Sequence, residues 1–121
     1  MTLGEKQRLF AKLYTQLLVW IHQNPSYSIA FGELERKPVQ AKLNAKNGVG
    51  IANSLHIIRL AGDILLFIDG VYQTDSEKYR PLGEFWKSLH PLCRWGGDFK
   101  DGKGRPKPDG NHFSLEHNGV K

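Results

Sequence analysis

The sequence predicts an α+β domain in which a small antiparallel sheet packs with helices. Three observations support this prediction: a helical period of apolar residues near the start, a hairpin signal in the middle, and short strand-like runs after it. The chain has 121 residues, of which 40% are hydrophobic, and this is enough for one modest core. We therefore expect a single domain over residues 1–121.

The first predicted element is an amphipathic helix over residues 5–23. Thr2 and Glu5 can form a capping box at its start, and Asn24-Pro25 can end it. The apolar residues that recur at helical spacing are Leu9, Phe10, Leu13, Tyr14, Leu17, Leu18 and Ile21.

Weaker signals follow this helix. The apolar and aromatic run Tyr27–Phe31 predicts a short strand. Pro38 suits the first turn of a small helix that reaches about Ala45. The two glycines in residues 46–50 predict a loop.

The clearest local signal is a β-hairpin. Two apolar runs, at residues 63–68 and 71–73, flank Asp69-Gly70. An Asp-Gly pair between such runs is typical of a two-residue hairpin turn, because both positions accept a positive φ.

A second helix is predicted after the hairpin. Thr74 and Glu77 resemble a second capping box, and the helical pattern continues to about Leu89. Pro81 lies within this stretch, so the helix must begin late or kink there.

The last part of the chain predicts two strands and a long loop. Residues 93–95 and 113–116 have strand composition. Between them, the Gly- and Pro-rich stretch 96–110 predicts an irregular surface loop that can act as a lid or specificity loop.

Charge and composition limit the function classes. Seventeen Lys and Arg against twelve Asp and Glu give a net charge of +5, which favours an anionic partner such as a cell wall. The basic residues that cluster are Lys100, Lys103, Arg105 and Lys107. No RNP, KH or zinc-finger pattern accompanies them, so a nucleic-acid partner is not expected.

No membrane span or secretion signal is expected. No apolar run approaches the ~20 residues that a span needs, and residues 1–8 lack a signal-peptide pattern. The single cysteine, Cys93, excludes an internal disulfide, and a buried apolar role beside Trp95 is the simplest assignment. These features predict a cytoplasmic protein.

Two histidines and a carboxylate form a candidate metal site. His56, Asp63 and His112 can hold one zinc and leave a position open for water, as catalytic zinc sites do. Seven residues separate His56 from Asp63, which is ~23 Å along a strand or ~10 Å along a helix. Residues 57–62 must therefore double back, and Ala61-Gly62 permits this.

Asp109 lies three residues before His112 and is a candidate general base. Asp109-Gly110-Asn111 has strong turn chemistry, so its carboxylate can curl beside His112 and accept a proton from a metal-bound water. Spacing alone leaves other roles open: His112 can be an ordinary half-buried strand residue, and Asp109 an Asx-turn acceptor. Glu116 is in phase with His112 and can support or join the ligands.

These motifs together resemble a known peptidase family. They are Ser54-x-His56-x6-Asp63, Trp95-Gly96-Gly97, Asp109-x-x-His112-Phe113, Gly32-Glu33-Leu34-Glu35-Arg36, Gln40 and Gly50-Ile51-Ala52-Asn53. The chain resembles the zinc D-Ala-D-Ala carboxypeptidase/L-alanyl-D-glutamate peptidase family, in its phage endolysin-like branch, from about Glu5 to Glu116. The resemblance implies the fold shared by these peptidases and the Hedgehog signalling domain.

The resemblance also implies roles for particular residues. It implies Zn²⁺ bound by His56, Asp63 and His112, with Asp109 as the general base. It implies that Arg36 stabilises the carbonyl oxygen or anchors substrate.

A further implied role belongs to Ser54, which would border the substrate pocket.

Two positions depart from the family pattern. Arg59 stands where the usual motif has glycine, although the phage branch often carries Arg-Leu-Ala there. Gly62 replaces an aliphatic residue and can loosen the hairpin that positions Asp63.

The function implied is that of a zinc-dependent, endolysin-type peptidoglycan peptidase. Its expected substrate is a bacterial peptidoglycan stem peptide, cut at the L-Ala–D-Glu bond. Two alternatives remain: a D-Ala-D-Ala carboxypeptidase, and a non-catalytic cell-wall-binding module with the same fold. We expect a monomer that stays in the cytoplasm until it is released to the cell wall.

Overall fold

The computed structural model describes residues 1–32, 55, 56 and 58–121. Its helices are α1 (Leu3–His22) and α2 (Arg80–Leu89), and its strands are β1 (Tyr27–Phe31), β2 (Ala61–Ile68), β3 (Val71–Tyr72), β4 (Cys93–Trp95) and β5 (His112–Leu115). The fold is therefore α+β, as predicted. The helix predicted at 38–45 and the loop at 46–50 lie outside the described residues.

Helix α1 begins at the predicted cap but spans Leu3–His22, so it starts two residues before the predicted range of 5–23 and ends one residue before it does. The Thr2 hydroxyl accepts a hydrogen bond from the Glu5 amide at 3.1 Å, and the Thr2 amide donates to the Glu5 carboxylate at 3.0 Å. The predicted capping box is therefore present. The residues that α1 buries are Phe10, Leu13, Tyr14, Leu17 and Ile21. None of the described helices is long and apolar enough to cross a membrane.

The five strands of the described residues form one antiparallel sheet in the order β1-β2-β5-β4, with β3 also paired to β2. The predicted hairpin joins β2 and β3: Asp69 and Gly70 have φ values of 51° and 81°, as its turn requires. Strand β5 was predicted at 113–116 but lies at His112–Leu115. This shift of one residue brings His112 into the sheet.

The region before α2 corrects one prediction. Thr74 and Glu77 do not form a capping box; instead Asp75 accepts a hydrogen bond from the Glu77 amide at 3.0 Å. A 3-10 turn, Ser76–Tyr79, comes first, and Pro81 then occupies the first turn of α2. The late start follows because proline is tolerated only where no helical amide donor is needed.

The core lies between the two helices and one face of the sheet. The Trp86 ring of α2 meets Phe10 of α1 edge-on at 5.8 Å between centroids, and Phe113 of β5 at 6.3 Å. Its indole N–H donates to the carbonyls of Arg94 and Ser114 at 3.0 and 3.1 Å. Because successive strand residues face opposite sides, Phe113 faces the core and His112 faces away from it.

Candidate metal centre

Strand pairing brings two of the predicted ligands together. Asp63 of β2 and His112 of β5 are direct partners in the antiparallel ladder, so their side chains share one face of the sheet. His112 Nδ1 lies 3.5 Å from Asp63 Oδ1. His112 is buried and Asp63 is half-buried.

A tight reversal of the chain brings His56 to the same place. The Leu60 amide donates to the Leu55 carbonyl at 2.9 Å, and the Leu115 amide donates to the Leu60 carbonyl at 2.9 Å, which ties this turn to β5. His56 Nε2 consequently lies 3.3 Å from Asp63 Oδ1. The predicted doubling back is present, but it precedes Ala61-Gly62, which already belong to β2.

One departure from the pattern of the resembled family falls on an unusual backbone conformation. Arg59 adopts a left-handed conformation with φ of 58°. Glycine, which the resembled family usually has here, reaches this conformation without steric strain. Gly62, the second departure, pairs with Phe113 inside a continuous ladder. Neither residue interrupts the arrangement of Asp63 and His112.

The three side chains converge as metal ligands do. One donor atom from each of His56, Asp63 and His112 lies within 4.8 Å of the other two. Among the described residues, the buried Asp63 Oδ1 has no hydrogen-bond partner, although it lies within 3.5 Å of both imidazoles. Buried polar atoms normally have one, so a carboxylate oxygen left between two imidazoles fits a cation. Two imidazoles and one carboxylate are a donor set that suits zinc.

The charge state of Asp63 also fits a cation site. Burial opposes ionisation of its carboxyl, but His112 and His56 outweigh burial and lower its pKa to about 2. Asp63 is therefore ionised at neutral pH, which is the form that binds a metal.

Asp109 lies at the turn that leads into β5. Its amide donates to the Gly96 carbonyl at 2.8 Å, and its own carbonyl accepts from the His112 amide at 3.1 Å. The next residue is also held, because the Gly110 amide donates to Ser76 Oγ at 3.0 Å and its carbonyl accepts from the Trp95 indole at 2.7 Å. The turn predicted at Asp109-Gly110-Asn111 is thus present.

The charges of the three converging side chains affect the pKa of the Asp109 carboxyl. Desolvation by the surrounding protein is the largest effect, and it raises the pKa of Asp109. The charges of His112 and His56 lower this pKa and the charge of Asp63 raises it, and the net effect is an increase. Asp109 as a whole residue is exposed to solvent. In the described part of the chain its carboxylate accepts no hydrogen bond, so the Asx-turn role is not observed.

Two neighbours of the site were not assigned a role from the sequence. A Cβ on Gly96 would lie 1.9 Å from the Asp109 carbonyl oxygen and 2.9 Å from His112 Cβ, so only glycine fits between these two segments. The Phe99 ring lies 5.2 Å from the His112 ring, centroid to centroid. Gly96 belongs to the Trp-Gly-Gly motif noted in the sequence, whereas no sequence pattern indicated Phe99.

Arg36, Ser54 and Glu116 are the remaining residues with a role predicted from the sequence. Arg36 and Ser54 lie outside the described residues. Glu116 is not among the metal-ligand candidates; its carboxylate instead pairs with Arg94 at 3.2 Å.

The fold resembles that of a solved peptidase. The chain superimposes on the crystal structure of the Serratia marcescens L-Ala D-Glu endopeptidase ChiX with a TM-score of 0.68. The match covers 93% of this chain and 85% of that chain at 18% sequence identity, which is evidence of a shared fold. Comparison with protein-family profiles and with curated protein sequences gives no match.

Proposed function

We propose that this protein is a zinc-dependent peptidoglycan peptidase that hydrolyses the L-Ala–D-Glu bond of stem peptides. The observation that carries the proposal is the convergence of His56, Asp63 and His112, with Asp109 beside them, on one face of the sheet. The likeness in fold to an L-Ala D-Glu endopeptidase supports the choice of bond.

The proposed zinc ligands are His56 Nε2, Asp63 Oδ1 and His112 Nδ1, because these atoms face one another. Three protein ligands leave a coordination position open, as in catalytic sites. A bound Zn²⁺ supplies Lewis-acid polarisation of a carbonyl and makes water acidic near neutral pH. The protein contributes the fixed arrangement of the three donors, which the sheet and the turn before β2 hold in place.

Asp109 is the proposed general base. Its carboxyl lies in the field of the ligands but is not one of them, so it is available to accept a proton from the attacking water. Its raised pKa suits transfer of that proton to the leaving amine of the D-Glu residue. From the family resemblance, we also propose that Arg36 stabilises the carbonyl oxygen and that Ser54 borders the substrate.

The test combines metal binding with product analysis. We expect the purified chain to bind one Zn²⁺ by calorimetry and to release fragments from peptidoglycan whose masses show cleavage between L-Ala and D-Glu. A chelator should abolish release. His56→Ala and Asp63→Asn should lose both metal and activity, while His22→Ala, which changes an exposed helix residue outside the triad, should keep both.

The alternatives give different products. Release of D-Ala alone would replace the proposed activity with that of a D-Ala-D-Ala carboxypeptidase. Zinc binding to the triad with no cleavage of any stem peptide would contradict a catalytic role and favour a cell-wall-binding module.

A further inference from the structure

A pocket of about 650 Å³ is lined in part by Phe99, a neighbour of the proposed zinc ligand His112. Arg94, which lines it, is the ladder partner of Ser114, and Ser114 is two residues from His112. Arg94 and His112 therefore project from the same face of the sheet. Phe99 also lines the pocket, and its ring contacts the His112 imidazole at 5.2 Å. Phe99 thus connects the pocket to His112, although the pocket lining includes none of the proposed zinc ligands.

Three of the seven described residues that line the pocket are cationic. Arg94, Lys100 and Lys121 contribute positive charge to its wall. Among the described residues that line it, Asp98 contributes the negative charge. The Asp98 carboxylate is already paired with Lys87 at 2.7 Å. An anion that enters the pocket would therefore meet the positive charge of Lys100, which forms no ion pair in the described part of the chain.

Two of these cations are held on ordered backbone. The Arg94 guanidinium donates to the Pro91 carbonyl at 2.8 Å and pairs with Glu116 at 3.2 Å, which fixes its position. Lys100 lies in a short hairpin, where it bridges Pro106. Its side chain is exposed and forms no ion pair within the described part of the chain.

We infer that this pocket binds the free carboxylate of the acidic residue on the carboxyl side of the scissile bond. The inference rests on the proposed function, in which that residue is D-Glu. A glutamyl residue that is acylated on its amine and extended through one carboxyl group retains the other as a free anion. Lys100 supplies the charge for this anion, and the Phe99 ring offers an apolar surface for the adjoining methylenes.

The test uses two synthetic peptides that differ only at the glutamyl side of the bond: one carries the free carboxylate and the other a primary amide. The zinc-loaded chain should cleave the acidic peptide about fivefold more efficiently, through a lower KM, as expected for a partly exposed ion pair. Lys100→Gln should remove this preference, and Lys100→Glu should reverse it. Lys103→Gln is the matched control, because Lys103 lies in the same exposed loop but does not line the pocket.

The possible results distinguish failure of the pocket inference from failure of the proposed function. Equal cleavage of both peptides would overturn the inference and leave the proposed function intact. An equal loss of preference in Lys103→Gln would also overturn it, since general surface charge would then explain the effect. If neither peptide is cleaved, the proposed function fails. The pocket is then tested by calorimetry: tighter binding of the acidic peptide than of the amidated peptide would support the inference, and equal binding would overturn it.

Discussion

Gly96→Ala is the substitution whose effect the structure predicts most directly. The added carbon would lie 1.9 Å from the Asp109 carbonyl oxygen, whereas ordinary contact begins at about 3.4 Å. One of the two backbone segments must therefore move by about 1.5 Å. Neither obstacle is the flexible end of a side chain, because the nearest atoms are the Asp109 backbone and His112 Cβ.

This displacement should affect stability and activity together. Overpacking of a close contact typically costs about 1–3 kcal/mol in the free energy of unfolding. The hydrogen bond from the Asp109 amide to the Gly96 carbonyl, 2.8 Å long, would be strained at the same time. A misplacement of about 1 Å near reacting groups can reduce a rate by about 100-fold. We therefore expect kcat/KM for Gly96→Ala to fall by about two orders of magnitude.

The assay compares Gly96→Ala with Gly102→Ala by urea unfolding, zinc calorimetry and peptide hydrolysis. Gly102 lies in the same loop, and a Cβ there meets no atom within 4 Å, so its substitution should change none of the three measurements. Wild-type activity and zinc affinity in Gly96→Ala would refute the claim that Asp109 and His112 are positioned through contact with this glycine.

Three further substitutions or reactions test other parts of the structure. Asp109→Asn should lower kcat by about 10²–10⁴-fold, as expected for loss of a general base, while zinc calorimetry shows retained binding; a lost metal would instead make Asp109 a ligand. Burial raises the pKa of Cys93 to about 12, so its thiol should react with Ellman's reagent at pH 8 only after denaturation, and rapid native labelling would contradict the packing of β4. Tyr79→Phe should reduce the free energy of unfolding by about 1–3 kcal/mol in urea, because it removes the acceptor of the Leu66 amide and the donor to the Gln73 carbonyl; an unchanged midpoint would exclude this bridge.

Local chemistry explains which parts of the fold were predictable. The capping box at Thr2 and the turn at Asp69-Gly70 are determined by a few adjacent residues, and both are confirmed. The second capping box failed because Asp75 competes with Thr74 for the same amide, and spacing cannot rank the two. The predicted bounds of β5 differ from the observed bounds by one residue, because the pairing of this strand depends on strands that are distant in sequence.

The candidate site was predictable only in part for the same reason. Residue types made His56, Asp63 and His112 candidates, and the family resemblance selected them, but the reversal that joins them depends on hydrogen bonds to β5 and on the left-handed Arg59. Phe99 had no sequence signal, since its contact with His112 arises from the path of a loop. Long-range contacts of this kind leave no periodic trace in a single sequence.

The two faces of β5 link core packing to the geometry of the proposed centre. Phe113 and Leu115 are fully buried on the core side, while His112 faces Asp63 on the other side. A slip of one residue would exchange these faces and move the imidazole into the core. The Trp86 indole opposes such a slip, because it donates to the Ser114 carbonyl of β5 and the Arg94 carbonyl of β4 at once. The position of His112 is thus maintained from the core side of the sheet, by residues that would never touch a metal or a substrate.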